Sequence, residues 1–112
     1  MDRPWKVTRE KVHAAIDRIV EVSQPRRIII FGSYVRGDAH VDSDLDVLIV
    51  SKGRVENPRK ESVRIRRALK GIIMSMDIVV VDEDKLQELA DAPGLIYREA
   101  LKNGRVVYES AA

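Results

Sequence analysis

Residues 28–50 read IIIFGSYVRGDAHVDSDLDVLIV. The segment opens on the run Ile28-Ile29-Ile30, breaks at Gly32-Ser33, and resumes as Ser43-Asp44-Leu45-Asp46 passing directly into Val47-Leu48-Ile49-Val50. Side chains on a strand alternate between faces, so Asp44 and Asp46 project to the same side. Two neighbouring carboxylates repel each other and lose hydration, and a divalent cation offsets both costs. Mg²⁺ takes hard oxygen ligands and is commonly held by one or two carboxylates together with substrate phosphates. Two such ions can clamp the attacking and leaving oxygens of a phosphoryl-type displacement. Just upstream, Gly32 lets the backbone approach an anion closely. A helix beginning at Ser33 would aim free N–H groups at that anion, and the Ser33 hydroxyl adds a donor. The segment therefore reads as a nucleoside-triphosphate and metal site.

Upstream of this segment, Val12, Ala15, Ile16, Ile19 and Val20 recur at helical spacing over residues 8–23, with Thr8 as N-cap and Gln24-Pro25 as the stop. His13 points off that face and has no partner at i+4, so it reads as a solvent-facing histidine. Trp5 reads as a cover for the first helix or a sheet edge. Residues 26–31 form the first strand, and its unbroken apolar run predicts burial on both faces. Arg36 can neutralise a phosphate or an aspartate, or serve in a structural ion pair. Residues 38–43 read as a polar loop, with His40 and Asp42 as loop residues rather than ligands. Tyr34 is read first as packing, with stacking near a nucleotide as the alternative.

Downstream of the second strand (45–50), residues 56–70 form a helix that carries Arg59, Lys60, Arg64, Arg66, Arg67 and Lys70, with Val63, Ala68, Leu69 and Ile72 on its inner side. A basic run of this kind is usually a solvated face; docking of an acidic partner, nucleic acid or triphosphate is the functional alternative. Residues 72–82, IIMSMDIVVVD, form the third strand. Asp77 stands out there, because a buried strand disfavours a carboxylate. Paired beside the second strand, Asp77 would join Asp44 and Asp46 at one site. A helix over 82–90, another from Pro93 to Lys102 with Leu95, Ile96 and Leu101 inward, and a short strand over 105–109 complete the chain.

Gly32-Ser33, ten intervening residues and then Asp44-Leu45-Asp46 resemble the GS-x10-D-x-D signature of the DNA polymerase beta superfamily of nucleotidyltransferases. The fuller string GSYVRGDAHVDSDLDVLIV, with MDIVVV and the closing GLIYREALKNGRVVYE, is similar to its minimal nucleotidyltransferase (MNT) branch over nearly the whole chain. The resemblance implies ATP as substrate and two Mg²⁺ ions on Asp44, Asp46 and Asp77, with Asp77 as the third catalytic acid. It assigns Gly32, Ser33 and Arg36 to nucleotide binding. It further implies AMP transfer to a hydroxyl, a tyrosine of a HEPN-domain toxin for which an MNT protein acts as antitoxin. Two rival readings stay open: a module that neutralises its partner by contact alone, and a small-molecule nucleotidyltransferase.

With 112 residues the chain is expected to form one domain, residues 1–112. The predicted fold class is α/β (α+β), a mixed sheet with helices mainly on one face, as in a polymerase-beta-type palm. A net charge of +2 gives no case for nucleic acid as a direct substrate. The absence of cysteine excludes a disulfide frame and a zinc-thiolate site. No apolar run approaches a membrane span, and the N-terminal residues lack a signal-peptide core, so a cytoplasmic protein is expected. The basic helix and a possible sheet edge permit a homodimer or a hetero-complex.

Overall fold

The two most continuous apolar runs lie side by side at the centre of a four-stranded sheet. In the computed structural model, which describes residues 4–37, 43–90 and 96–111, β1 (Arg27–Phe31) pairs antiparallel with β2 (Leu45–Ser51), bringing Ile28 opposite Ile49 and Phe31 opposite Asp46. β3 (Met76–Asp82) adds to β2 in parallel, and β4 (Arg105–Glu109) adds to the other side of β1 antiparallel, giving the order β3-β2-β1-β4. The sheet is mixed because β2 and β3 are joined by a helical crossover, the connection that parallel strands require.

Helices start and stop where local chemistry directs. Thr8 caps α1 (Arg9–Ser23) by accepting the Lys11 N–H at 3.2 Å. Gln24 ends it in the left-handed region at φ 46°, with its own N–H on the Val20 carbonyl, and Pro25 cannot continue it. Ser33–Arg36 form a single turn, α2, between Gly32 and Gly37. The crossover helix α3 (Pro58–Ala68) has Pro58 in its first turn and the Asn57 carboxamide oxygen on the Lys60 N–H. Asp82, the last residue of β3, caps α4 (Glu83–Leu89), and α5 (Ile96–Asn103) leads through Gly104 into β4.

Strand alternation divides the interior into two layers. Ile28, Ile30, Val47, Ile49, Ile78 and Val80 pack with Val12, Ala15 and Ile19 of α1 and Ile65 of α3. Ile29, Phe31, Leu48, Val50 and Val81 pack with Leu86 of α4 and Ala100 of α5. The two longer helices thus cover one face and form the larger core, while two short helices cover part of the other. Double burial explains why β1 and β2 are apolar without alternation. Among the described residues no helix is long and apolar enough to cross a membrane.

The structure moves several boundaries and faces. β3 begins at Met76 rather than at residue 72, because a strand is only as long as its partner: Met76 lies opposite Leu45, where β2 starts. Ahead of it Ile73 is 60% exposed, and the Ser75 N–H bonds instead to the Trp5 carbonyl at 3.1 Å. On α3 the inward anchor is Ile65, fully buried, whereas Val63 is 43% exposed. On α5 the inward residue is Ala100, and Leu101 is 40% exposed; a small side chain lets the helix approach β1 closely. His40, Asp42, Pro93 and Leu95, and the side chain of Ile96, lie outside the described residues.

Two outcomes follow from this packing. Ile49 has no exposed surface and sits on a central strand, so Ile49→Ala is expected to lower unfolding free energy by about 2–5 kcal/mol in a denaturant titration. The Asp82 carboxylate accepts the Lys85 N–H at 2.8 Å and the Val55 N–H at 3.2 Å, and these bonds hold its pKa below the ordinary 3.8. A lowered folded-state pKa contributes stability that is whole above 3.8 and is lost as pH falls through the folded value. Asp82→Ala should therefore reduce Tm at neutral pH, with the gap to wild type closing in acid below that value.

Candidate active site

Strand direction alone gathers the motif residues at one end of the sheet. β1 and β2 are antiparallel, so the end of β1 lies beside the start of β2. β2 and β3 are parallel, so the start of β2 lies beside the start of β3. The Gly32-Ser33 turn, Asp46 and Asp77 consequently meet at a common edge. Asp46 and Asp77 are direct register partners, on strands spaced about 4.8 Å apart. Asp46 alternates with Leu48 and Val50, and Asp77 with Val79 and Val81, so both carboxylates stand on the face covered by α4 and α5. Asp44 lies just before β2 and is exposed, as is Asp77; Asp46 is half-buried.

Gly32 is constrained by Asp46 itself. Its φ of +82° disfavours any side chain, and a Cβ there would overlap the Asp46 carboxylate. The fold thus already brings one anion, the Asp46 carboxylate, against this glycine. Gly32 supplies no side-chain cap, and its carbonyl accepts the N–H groups of Val35 and Arg36, both at 3.1 Å. With only four residues, α2 contributes the oriented N–H groups of one turn and little accumulated dipole.

Electrostatics mark Asp46 as the strained member. Burial raises its pKa first, followed by the nearby charges of Asp77 and Asp44, while Arg36 pulls it back down. This is the pattern of a partly buried acid with like charges beside it. Arg36 also donates to the Glu99 carboxylate of α5 at 3.3 Å. Both readings of this arginine thus coexist: it is in an ion pair and it acts electrostatically on Asp46. Glu99 carried no signal of its own in the sequence. It holds Arg36 across 63 residues of chain, a relation set by how α5 docks on β1. Tyr34, in contrast, packs with the α1 core, away from the carboxylate face.

The donor set suits a hard cation. Asp44, Asp46 and Asp77 offer only carboxylate oxygens, and a divalent ion would relieve the repulsion that raises the Asp46 pKa. Among the described residues, no three acidic or histidine side chains converge closely enough to form a ligand cluster by themselves. Shared coordination with substrate phosphates is the usual arrangement for Mg²⁺, and such a site needs no all-protein cage.

Similarity to known proteins follows the same outline. A presumptive nucleotidyltransferase from Sulfolobus solfataricus superposes with a TM-score of 0.57 at 22% identity, covering 92% of this chain and 90% of that one. A toxin–antitoxin complex solved with AMP-PNP contains a chain that superposes at 0.62 and 17% identity, covering 94% of this chain and 76% of that one. A MntA-HpeT toxin–antitoxin variant with two aspartates changed to glutamate gives 0.58 at 17% identity, with the same coverage. At these identities the likeness is one of fold. A comparison with curated proteins finds no significant match. The sequence profile of the family described as polymerase beta, nucleotidyltransferase matches residues 14–112. The chain belongs to the polymerase beta nucleotidyltransferase family.

Proposed function

We propose that this chain transfers AMP from ATP to a protein hydroxyl, a tyrosine of a HEPN-type toxin, and thereby acts as that toxin's antitoxin. The observation that carries the reading is the meeting of three elements at one sheet edge: the Gly32-Ser33 turn, Asp46, and Asp77 in register with it. The triphosphate would lie against Gly32, Ser33 and the first turn of α2, and Arg36, paired with Glu99, would add positive charge beside it. Asp44, Asp46 and Asp77 would hold two Mg²⁺ ions, whose bound chemistry is charge neutralisation and activation of the acceptor oxygen. Asp77, exposed at the edge of the sheet, orients the acceptor hydroxyl and takes up its proton. The acceptor oxygen forms a bond to the α-phosphorus, the bond from that phosphorus to the bridging oxygen breaks, and pyrophosphate leaves. The rate gain comes from positioning and from fixed charge.

Fold neighbours support this substrate and partner class. One was solved with AMP-PNP, a nucleoside-triphosphate analogue, and is part of a toxin–antitoxin pair. Another carries changes at two aspartates two positions apart, the spacing of Asp44 and Asp46 here.

The test uses ATP labelled at the α-phosphate, Mg²⁺ and a lysate of the source organism, with γ-labelled ATP as control. Wild type is expected to label a protein band from the α position only. Asp46→Asn and Asp77→Asn should each lower that labelling by more than about a hundredfold, since losing even an outer-shell partner costs roughly 10–100-fold. Absence of α-label with a folded wild-type protein would overturn transfer and leave neutralisation by contact. The Asp46 pKa adds a stability readout. A raised folded-state pKa means that ionised Asp46 costs native stability, a cost that sets in above 3.8 and is complete above the folded value. Without divalent cation at neutral pH, Asp46→Asn should therefore melt at or above the wild-type Tm, the difference vanishing in acid. Gly32→Ala is expected to melt lower and to lose transfer, because its Cβ would displace the Asp46 carboxylate.

A further inference from the structure

Beside Asp77, β3 is the outermost strand on its side of the sheet, and among the described residues no segment pairs with its outer edge. The direction of its peptide groups is fixed by one bond. The Leu45 N–H donates to the Ser75 carbonyl at 2.9 Å, so Ser75 faces β2. Peptide groups alternate along a strand, so the N–H and C=O groups of Met76, Ile78 and Val80 face outward. The Met76 carbonyl bears this out: it accepts from the Arg66 guanidinium of α3 at 3.3 Å. A groove of about 410 Å³ runs along the same edge. Its floor is Ile78, Val79 and Val80, and its walls include Arg59, Val63 and Arg66 of α3 and Tyr97 of α5.

Protein edges are normally blunted by charge, bulges or short length. β4, the opposite edge, is five residues long and has a register shift against β1. β3 pairs over seven consecutive residues without one. Its groove combines an open backbone edge, exposed apolar surface at Val63, and two arginines with no acidic side chain among the described lining residues. Strand addition takes its affinity from main-chain hydrogen bonds and its specificity from flanking side chains. Here the flanking charge is positive.

We infer that the outer edge of β3 receives an extended, acidic segment of a partner protein as a fifth strand, and that this segment carries the acceptor hydroxyl. A strand laid about 4.8 Å beyond β3 would pass beside Asp77. A hydroxyl-bearing residue on the α4/α5 face of that strand would then stand next to the carboxylate. The fate of the hydroxyl rests on the transfer reading above; the docking does not.

Amide hydrogen exchange on the whole chain, read residue by residue by NMR, tests the docking without ATP. The probe is a short peptide with a central tyrosine in alternating Val and Thr, ended by Glu. A Lys-ended copy and copies N-methylated along one edge or the other serve as comparisons. The Glu-ended peptide should slow exchange at Ile78 and Val80 by about tenfold or more. N-methylation along one edge only should abolish this. Arg59→Glu should weaken binding by about tenfold. Equal binding of the Lys-ended peptide, unchanged exchange at Ile78 and Val80, or displacement by oligothymidylate with protection of the same amides would each overturn the inference. So would protection that grows with chain concentration and without peptide, which would assign the edge to a second copy. Adding α-labelled ATP and Mg²⁺ separates the two claims. A bound, protected peptide left unlabelled would count against transfer alone, and labelling without protection would count against docking alone.

Discussion

Two carboxylates held in register on neighbouring strands are the constraint on which the rest of this structure depends. Asp46 and Asp77 face each other across a parallel ladder and share one face of the sheet. Burial of Asp46 and the like charge beside it both oppose its ionisation, and its pKa is raised accordingly. The arrangement persists because apolar ladders on both strands anchor it. Directly beyond the pair come Val47 with Ile78, Leu48 with Val79 and Ile49 with Val80, most of them buried. The strands cannot slip to separate the charges, since a shift of one residue would turn a whole buried set to the opposite face.

The remaining elements serve this placement. Parallel pairing of β2 and β3 requires a crossover, and α3 supplies it, seated by Ile65 in the larger core. Antiparallel pairing of β1 and β2 returns the Gly32 turn to the carboxylate end, where only glycine leaves room for Asp46. α5 contributes Glu99, which pairs with Arg36, and the Arg36 charge pulls the Asp46 pKa back down. The guanidinium charge offsets part of the cost of crowding the carboxylates.

Much of this was legible in the sequence because strands and site share one period. Asp44 and Asp46 flank Leu45 at the entrance of an apolar run, and Asp77 is conspicuous ahead of Ile78-Val79-Val80-Val81. Thr8, Gln24-Pro25 and Pro58 marked helix ends through chemistry that acts locally. What stayed hidden depends on tertiary neighbours. The start of β3 is set by where β2 begins, 31 positions earlier at Leu45, opposite Met76. Val63 and Ile65 are equally apolar, and only the docking of α3 decides that Ile65 turns inward. The choice of Ala100 over Leu101 and the pairing of Glu99 with Arg36 follow from the approach of α5 to β1. Gly32 was visible as a turn, but its contact with Asp46 needed the register of β1 on β2.

The function proposed above requires these acids, with the Gly32 turn, to form a metal–triphosphate site. Paramagnetic broadening by Mn²⁺ with ATP, followed over all backbone amides, measures it most directly. Selective loss of signal is expected at Gly32, Ser33, Asp46 and Asp77 at low metal occupancy, and with Mg²⁺ and ATP the Asp46 carboxyl pKa is expected to fall below its metal-free value. Uniform weak broadening, or broadening centred away from these residues, would contradict it.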